Sequence, residues 1–384
     1  MEAASAREGN GPRLAQLPLR KHPAIAIAMK GVILHGGRGT RLRPITYSEV
    51  KQLVPVGGKP ISQYALEDMI AAGIREVAIV VGGIGADEVK AYYGDGSKWG
   101  ASITYVHQKE PGGIAQAVGL TRDFVGKDPF VVYLGDNILH GGISQLMGVF
   151  EQKKTDALMT LTRVSDPGSF GLALIENGKL VRLLEKPANP PTDLAIVGVY
   201  FLRPVIFDII EKMKPSPRGE YEMTDALQNL IDGGFTVDWA EIQGWWKDTG
   251  TMEDIIEANR LALDECRGEI LSKLTAEENI SGRVRIMQNV VIDRKTKIRG
   301  PSYIGEGTKI SNAYIGPYTS IGNRCTIDGV EIEDSIIMDG CEIKGNGEIR
   351  INESLIGAEC RVRRGDGARK ATKLLVGRNS ELEL

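Results

Sequence analysis

Isoleucine returns at every sixth residue in the last third of the chain, at Ile280, Ile286, Ile292, Ile298, Ile304 and Ile310. The period restarts at Ile315, Ile321 and Ile327, again at Ile337, Ile343 and Ile349, and finally at Ile356 and Val362. A helix repeats its faces about every 3.6 residues and a strand at every second one, so neither produces this spacing, whereas a parallel β-helix with hexapeptide faces does. Such a solenoid lays the aliphatic position of each coil over the next. Cys325, Cys341 and Cys360 each follow a ladder isoleucine by the same offset and read as small interior side chains stacked in the same way.

What this segment lacks limits its chemistry. Acyl transfer on hexapeptide coils needs a histidine base, and His22, His35, His107 and His140 all precede Ile280. The solenoid therefore reads as scaffold, subunit contact or regulatory element. The basic run Arg361, Arg363, Arg364, Arg369, Lys370 and Lys373 reads as a solvated cap on its end.

At 384 residues the chain has length for a second core, and 42% hydrophobic with 25% charged residues is the composition of a folded protein. A net charge of −3 gives no broad positive field for nucleic acid, so an anionic ligand must be held by a local site. The apolar stretch from Ala24 to Leu34 is broken by Lys30 and falls short of the roughly 18 residues that span a membrane. Four scattered cysteines suit a reducing cytoplasm better than a metal knuckle or disulfide scaffold. Residues 1–28 read as a disordered extension.

From Met29 the pattern is strand, glycine loop, helix. Lys30-Gly-Val-Ile-Leu34, Val77-Ala-Ile-Val-Val81 and Phe130-Val-Val-Tyr-Leu134 read as buried strands, with a helix over Ser62 to Ala72 stopped by Gly73. Their alternation predicts a mostly parallel sheet, with ligands at the carboxyl ends of the strands, where Gly36 and Asp136 fall. Thr251 to Gly268 reads as a connecting helix opened by a Thr251/Asp254 capping box and stopped by Gly268. The expected organisation is thus an extension over 1–28, a catalytic domain over 29–250, a connecting helix and linker over 251–279, and the solenoid over 280–384.

Gly36, Gly37 and Gly39, followed by Thr40 and Arg41, can bring backbone N–H groups and a guanidinium to a phosphate. No Gly-Lys-Ser/Thr closes the loop, so it is not a Walker A motif. The longer string Leu34-His-Gly-Gly-Arg-Gly-Thr-Arg-Leu-Arg-Pro44, with Lys51-Gln-Leu-Val-Pro55, resembles the signature of sugar-1-phosphate nucleotidylyltransferases. Gln108 with Pro111-Gly-Gly-Ile-Ala-Gln116, Leu134-Gly-Asp-Asn137, Phe170-Gly171, Glu185-Lys-Pro187, Arg218-Gly-Glu220 and Trp245-Trp-Lys-Asp-Thr-Gly250 follow in the family's order. Within that family the chain is most similar to the long form of glucose-1-phosphate thymidylyltransferase.

The resemblance implies an α/β fold: a Rossmann-like mixed-sheet nucleotidyltransferase domain followed by a left-handed parallel β-helix. It also implies Mg2+ and conversion of dTTP and α-D-glucose 1-phosphate to dTDP-glucose and pyrophosphate, feeding deoxysugar synthesis. Asp136 and Asp248 would share the metal. Arg41 and Lys51 would meet the triphosphate, and Lys186, with Arg218 as a weaker candidate, the sugar phosphate. Gly171, Glu185 and Ile196 would face the sugar, while Gln52, Gln108 and Gly113 would face the base.

Such chemistry needs positioning and charge neutralisation rather than a protein nucleophile. His35, where the family usually has a small residue, reads as a space-filler able to make binding pH-dependent near neutrality. Trp245 and Trp246 read as core. UTP or ATP in place of dTTP, or a silent nucleotide-sugar-binding regulatory subunit, are the alternatives; a bifunctional acetyltransferase is excluded by the missing histidine. Solenoids associate side to side, so a homo-oligomer is expected.

Overall fold

β1 (Lys30–Leu34) buries everything after its lysine, as expected of a central strand whose two faces are both covered. It pairs in parallel with β2 (Glu76–Val81) on one side. On the other it pairs in parallel with β4 (Phe130–Leu134), while β3 (Ser102–His107) extends the sheet beyond β2. These coordinates come from a computed structural model that describes residues 28–36, 39–83, 85–274, 277–363, 371–372 and 374–383. Almost all of the expected extension, together with Gly37, Arg364, Arg369, Lys370 and Lys373, lies outside the described residues.

Only half of the sheet is parallel, which corrects the mostly parallel expectation. The long strand β9 (Leu194–Leu202), buried throughout, runs antiparallel to β4. It also runs antiparallel to β6 (Ala157–Arg163) and β7 (Gly171–Glu176), and β8 (Lys179–Glu185) closes a hairpin with β7. β10 (Val237–Glu241) adds to the free edge of β6. Hairpin pairing of this kind needs no crossover helix, so strand–helix alternation in sequence could not reveal it.

Two short strands stand apart from this sheet. β5 (Asn137–Leu139) and β11 (Trp246–Asp248) pair antiparallel, with Asp248 opposite Asn137. Helix α1 (Ile61–Ala71) covers the sheet, and Gly73 takes a φ of 91° after it, as its stop requires.

Helix α2 (Met252–Glu265) has the expected capping box, Thr251 Oγ1 accepting from the Asp254 N–H. It ends at Glu265 rather than at Gly268, because Cys266 is already extended and the chain must enter the first coil, pairing Glu269 and Ile270 with Arg285 and Ile286. The inner face of α2 seals the sheet domain to the solenoid: Met252, Ile255 and Ala258 share one apolar cluster with Leu42, Ile336 and Leu355. Asn259 is fully buried there with both ends of its amide bonded, accepting from Gly57 N–H and Ser320 Oγ and donating to the Tyr318 carbonyl.

The solenoid is three columns of stacked aliphatics. Ile286, Ile304, Ile321, Ile337, Ile356 and Val376 pair in succession down one column. Ile292, Ile310, Ile327, Ile343, Val362 and Leu382 do so down the second. The third is Ile280, Ile298, Ile315, Ile332 and Ile351. Ile349 is therefore not the rung that counting by six made it: it pairs with Val330, and Ile332 and Ile351 hold the column. Parallel hydrogen bonding sets the stack, and corners of unequal length shift the count.

Cys325, Cys341 and Cys360 are buried in this core as expected. Gly305 sits where a Cβ would come 2.4 Å from the Gly322 carbonyl carbon of the next coil, so close coil approach demands glycine. Among the described residues no helix is long and apolar enough to cross a membrane.

One buried acid on α1 makes stability depend on pH. Asp68 accepts from the Tyr133 hydroxyl at 3.1 Å, and burial pushes its carboxyl up to about 7. The folded state then binds a proton that the unfolded chain has released, so stability falls as pH rises from about 4 through 7. Asp68→Asn should stabilise the protein by about 1–2 kcal/mol at pH 8 and by almost nothing at pH 4, read by denaturant unfolding at both.

Candidate active site

The carboxyl ends of β1 and β4 open onto two cavities. The first, about 340 Å³, is lined by His35, Gly36, Gly39, Lys51, Gln52 and Gln108, among others. The second, about 730 Å³, is lined by Arg41, Gly171, Glu185, Lys186, Ile196 and Asp248, with others beside them.

Between them lies a charged junction. Lys51 Nζ donates to Asp136 Oδ2 at 2.7 Å and stands 3.9 Å from Asp248 Oδ1. The two carboxylates, remote in sequence, are brought together by the β5–β11 ladder, and Thr249 anchors it by donating both N–H and Oγ1 to the Asp136 carbonyl. Burial opposes ionisation of both acids. At Asp136 the Lys51 ammonium overrides it and holds the carboxyl below its ordinary range. Asp248, farther from the lysine and facing the charge of Asp136, is pushed up to about 6. Two acids with separated affinities for protons, pinned by one lysine, form a site that recruits positive charge.

Arg41 points the same way: a Cβ on Gly250 would stand 3.3 Å from its Nη1, so the guanidinium lies against the turn that follows Asp248. In the first cavity, Gln52 Nε2 donates to the Gly36 carbonyl at 3.3 Å, and Gln108 Nε2 to Gln116 Oε1 at 2.8 Å. Gly36 is needed for clearance, since a Cβ there would meet Gln108 Oε1 at 2.9 Å.

In the second cavity Glu185 accepts from Thr224 Oγ1 at 2.9 Å and from Arg218 Nη1 at 3.1 Å. Lys186, held at a φ of 40°, turns its backbone N–H to the Phe170 carbonyl. A non-glycine residue in that region is strained, and the strain sits at a binding wall.

Several expected residues do not join these cavities. Thr40 is exposed in a 3-10 turn and lines neither. Gly113 is spent on packing: a Cβ would come 2.5 Å from the Tyr221 carbonyl oxygen. Arg218 is exposed and engaged by Glu185 and Glu222.

The expected pH dependence at His35 is overturned, although the ring does fill space as expected. Burial lowers the His35 pKa to about 3, and neither ring nitrogen finds a partner among the described residues, so the ring stays neutral and gives no pH dependence near neutrality. Trp245 and Trp246 are core only in part: each is half-buried and packs against an apolar cluster, and each also faces the second cavity. Trp246 Nε1 donates to Asn137 Oδ1 and Trp245 Nε1 to Glu265 Oε1.

Sequence reasoning also missed Asn137, Glu222 and Thr224, all at the second cavity. Glu222 is 4% exposed, and burial, with Glu185 adding to it, raises its pKa. Its signal was available: an acidic residue just beyond the Arg218-Gly-Glu220 string, at the start of an amphipathic helix.

The chain is similar to known proteins over most of its length. Residues 30–265 match the nucleotidyl transferase family and residues 286–380 the GMPPB C-terminal domain. A glucose-1-phosphate thymidylyltransferase of Streptomyces griseus is 43% identical over 93% of this chain and 99% of its own length. The low-salt glycan biosynthesis nucleotidyltransferase Agl11 of Haloferax volcanii is also 43% identical, over 93% of this chain and 100% of its own. A Bacillus anthracis crystal structure, described as a glucose-1-phosphate thymidylyltransferase with bound sucrose, superposes with a TM-score of 0.60 at 40% identity, covering 63% of this chain and 98% of that one.

Proposed function

The chain belongs to the nucleotidyl transferase family, and from that premise we propose that it joins dTTP and α-D-glucose 1-phosphate into dTDP-glucose, releasing pyrophosphate. The observation that carries the reading is the Asp136–Lys51–Asp248 junction: Lys51 lines the first cavity, Asp248 lines the second, and the ammonium contacts both carboxylates. A reaction whose two substrates meet end to end needs its charge control at that place.

The residues suit Mg2+. Asp136 and Asp248 offer hard oxygen donors, and among the described residues no larger cluster of His, Cys, Asp and Glu forms a closed metal cage. A pair of carboxylates is what Mg2+ takes when substrate phosphates and water complete its shell. When bound, it supplies charge neutralisation to the phosphate oxygens.

The chain's own groups do the positioning. Gln52 and Gln108 present amide donors and acceptors to the base, and the glycine at 36 lets the nucleoside approach backbone. Arg41 and Lys51 neutralise the triphosphate, so that pyrophosphate leaves as a stabilised anion. Lys186 holds the sugar phosphate and aims its oxygen at the α-phosphorus in line with the leaving group, while Gly171, Glu185, Ile196 and Glu222 shape the sugar wall. Attack forms one P–O bond and breaks another, and no side chain exchanges a proton with the substrates.

Thymine differs from uracil by one methyl, worth about 1 kcal/mol in a fitted pocket. Purified protein with Mg2+ and glucose 1-phosphate should release pyrophosphate fastest with dTTP among the nucleoside triphosphates. Release with none would remove the enzymatic reading, and a clear preference for UTP would remove the thymidylyl part. A cytoplasmic homo-oligomer completes the proposal, its mass measurable by light scattering.

A further inference from the structure

The segment from residue 39 to residue 53 faces two ways. On one side Gly39, Arg43, Glu49 and Lys51 line the first cavity. On the other, Leu42 and Ile45 are fully buried against Ile336, Met338, Leu355 and Ala358 of the solenoid. Its three 3-10 turns, Thr40–Leu42, Ile45–Tyr47 and Lys51–Leu53, carry no side-chain caps, so their shape depends on what flanks them.

The last coils supply specific contacts as well as apolar ones. Arg378 Nε donates to Glu49 Oε1 at 3.0 Å. The Ala358 backbone N–H donates to the same carboxylate. Gly377 lies so close that a Cβ would stand 3.1 Å from the Pro44 carbonyl oxygen. Glu49 is 11% exposed on its side chain, and it lines the same cavity as Lys51, Gln52 and Gln108, read above as meeting the nucleotide.

We propose that the end of the solenoid sets nucleotide affinity, with Arg378 acting through Glu49 as a positioning residue for the 39–53 segment. The inference rests on the first cavity being the nucleotide pocket. Two physical effects combine. The ion pair and the packed coil hold the segment in its binding shape before the ligand arrives, which lowers the ordering cost of association. Arg378 also neutralises a carboxylate that would otherwise repel triphosphate oxygens.

The test uses the full chain and measures pyrophosphate release while each substrate is varied in turn. Arg378→Ala should raise KM for dTTP about three- to tenfold, the range of a partly exposed ion pair, while KM for glucose 1-phosphate stays within about twofold. Adding Glu49→Gln to it should recover part of the loss by removing the stranded charge, and Arg378→Lys alone should recover more. Should Arg378→Ala fail to fold, Arg378→Gln, which keeps the aliphatic stem, is read in the same way. A folded variant with unchanged KM for dTTP, or with both KM values raised equally, overturns the proposal. Wild-type turnover separates the two levels: no turnover with any nucleoside triphosphate removes the pocket reading itself, whereas normal turnover with an indifferent Arg378→Ala removes only the brace.

Discussion

Asp136→Asn is expected to lower kcat by about a thousandfold, the scale on which charge stabilisation is lost at a preorganised site, while the protein stays folded. Asparagine keeps the shape of the side chain and, with it, the backbone carbonyl that receives Thr249. It removes the negative charge that holds Lys51 at 2.7 Å and offers a hard oxygen to a metal. Lys51 would swing toward Asp248, now 3.9 Å away, and the junction would lose one of its two anionic donors. Pyrophosphate release under saturating substrates measures the effect, with a thermal melt as the control for folding. Turnover near wild type in a folded variant would take Asp136 out of the reaction and leave the two cavities without a shared centre.

The second large effect is on stability. Ile321→Ala should cost about 3–4 kcal/mol, within the range for truncating a buried branched side chain whose surroundings cannot collapse into the void. Ile321 is fully buried and pairs with Ile304 below and Ile337 above. In a solenoid each coil touches only its neighbours, so a cavity in a middle rung weakens two interfaces at once. Val291 is the matched control: it lies in a solenoid strand beside the rung Ile292 but is 58% exposed, and its truncation should cost under about 0.5 kcal/mol. Equal losses at the two positions, read by denaturant unfolding, would mean that the stacked column is not the source of solenoid stability.

Much of this arrangement can be read along the chain, for reasons that differ by region. The isoleucine ladder is legible because every rung faces the same dry interior, so selection for one residue type repeats at the period of the coil. It fails at Ile349, where the corners change length and register passes to Ile351. The site motifs are legible because a loop able to take a phosphate would need glycine clearance and cationic side chains in short contiguous strings. Glu222 and Asn137 escaped since each is a single residue whose meaning comes from a partner elsewhere: Arg218 and Glu185 for the first, Trp246 for the second. His35 fills space as its motif suggested, but the pH dependence expected of it fails because its pKa depends on burial, a property of what packs around the ring.

By itself the sequence determined the two architectures, and through its resemblance to a known family it singled out the glycine loop and the acids and cations proposed to control charge. The first follows from local period and the second from short contiguous motifs, and neither needs knowledge of distant contacts. Only the tertiary structure decided that the sheet turns antiparallel halfway, that Lys51 bridges Asp136 and Asp248, and that the last coil reaches back to Glu49 from Arg378. Each of those depends on which surfaces dock after the elements form, and burial of apolar area across α2 fixes that docking without leaving a periodic trace in the chain.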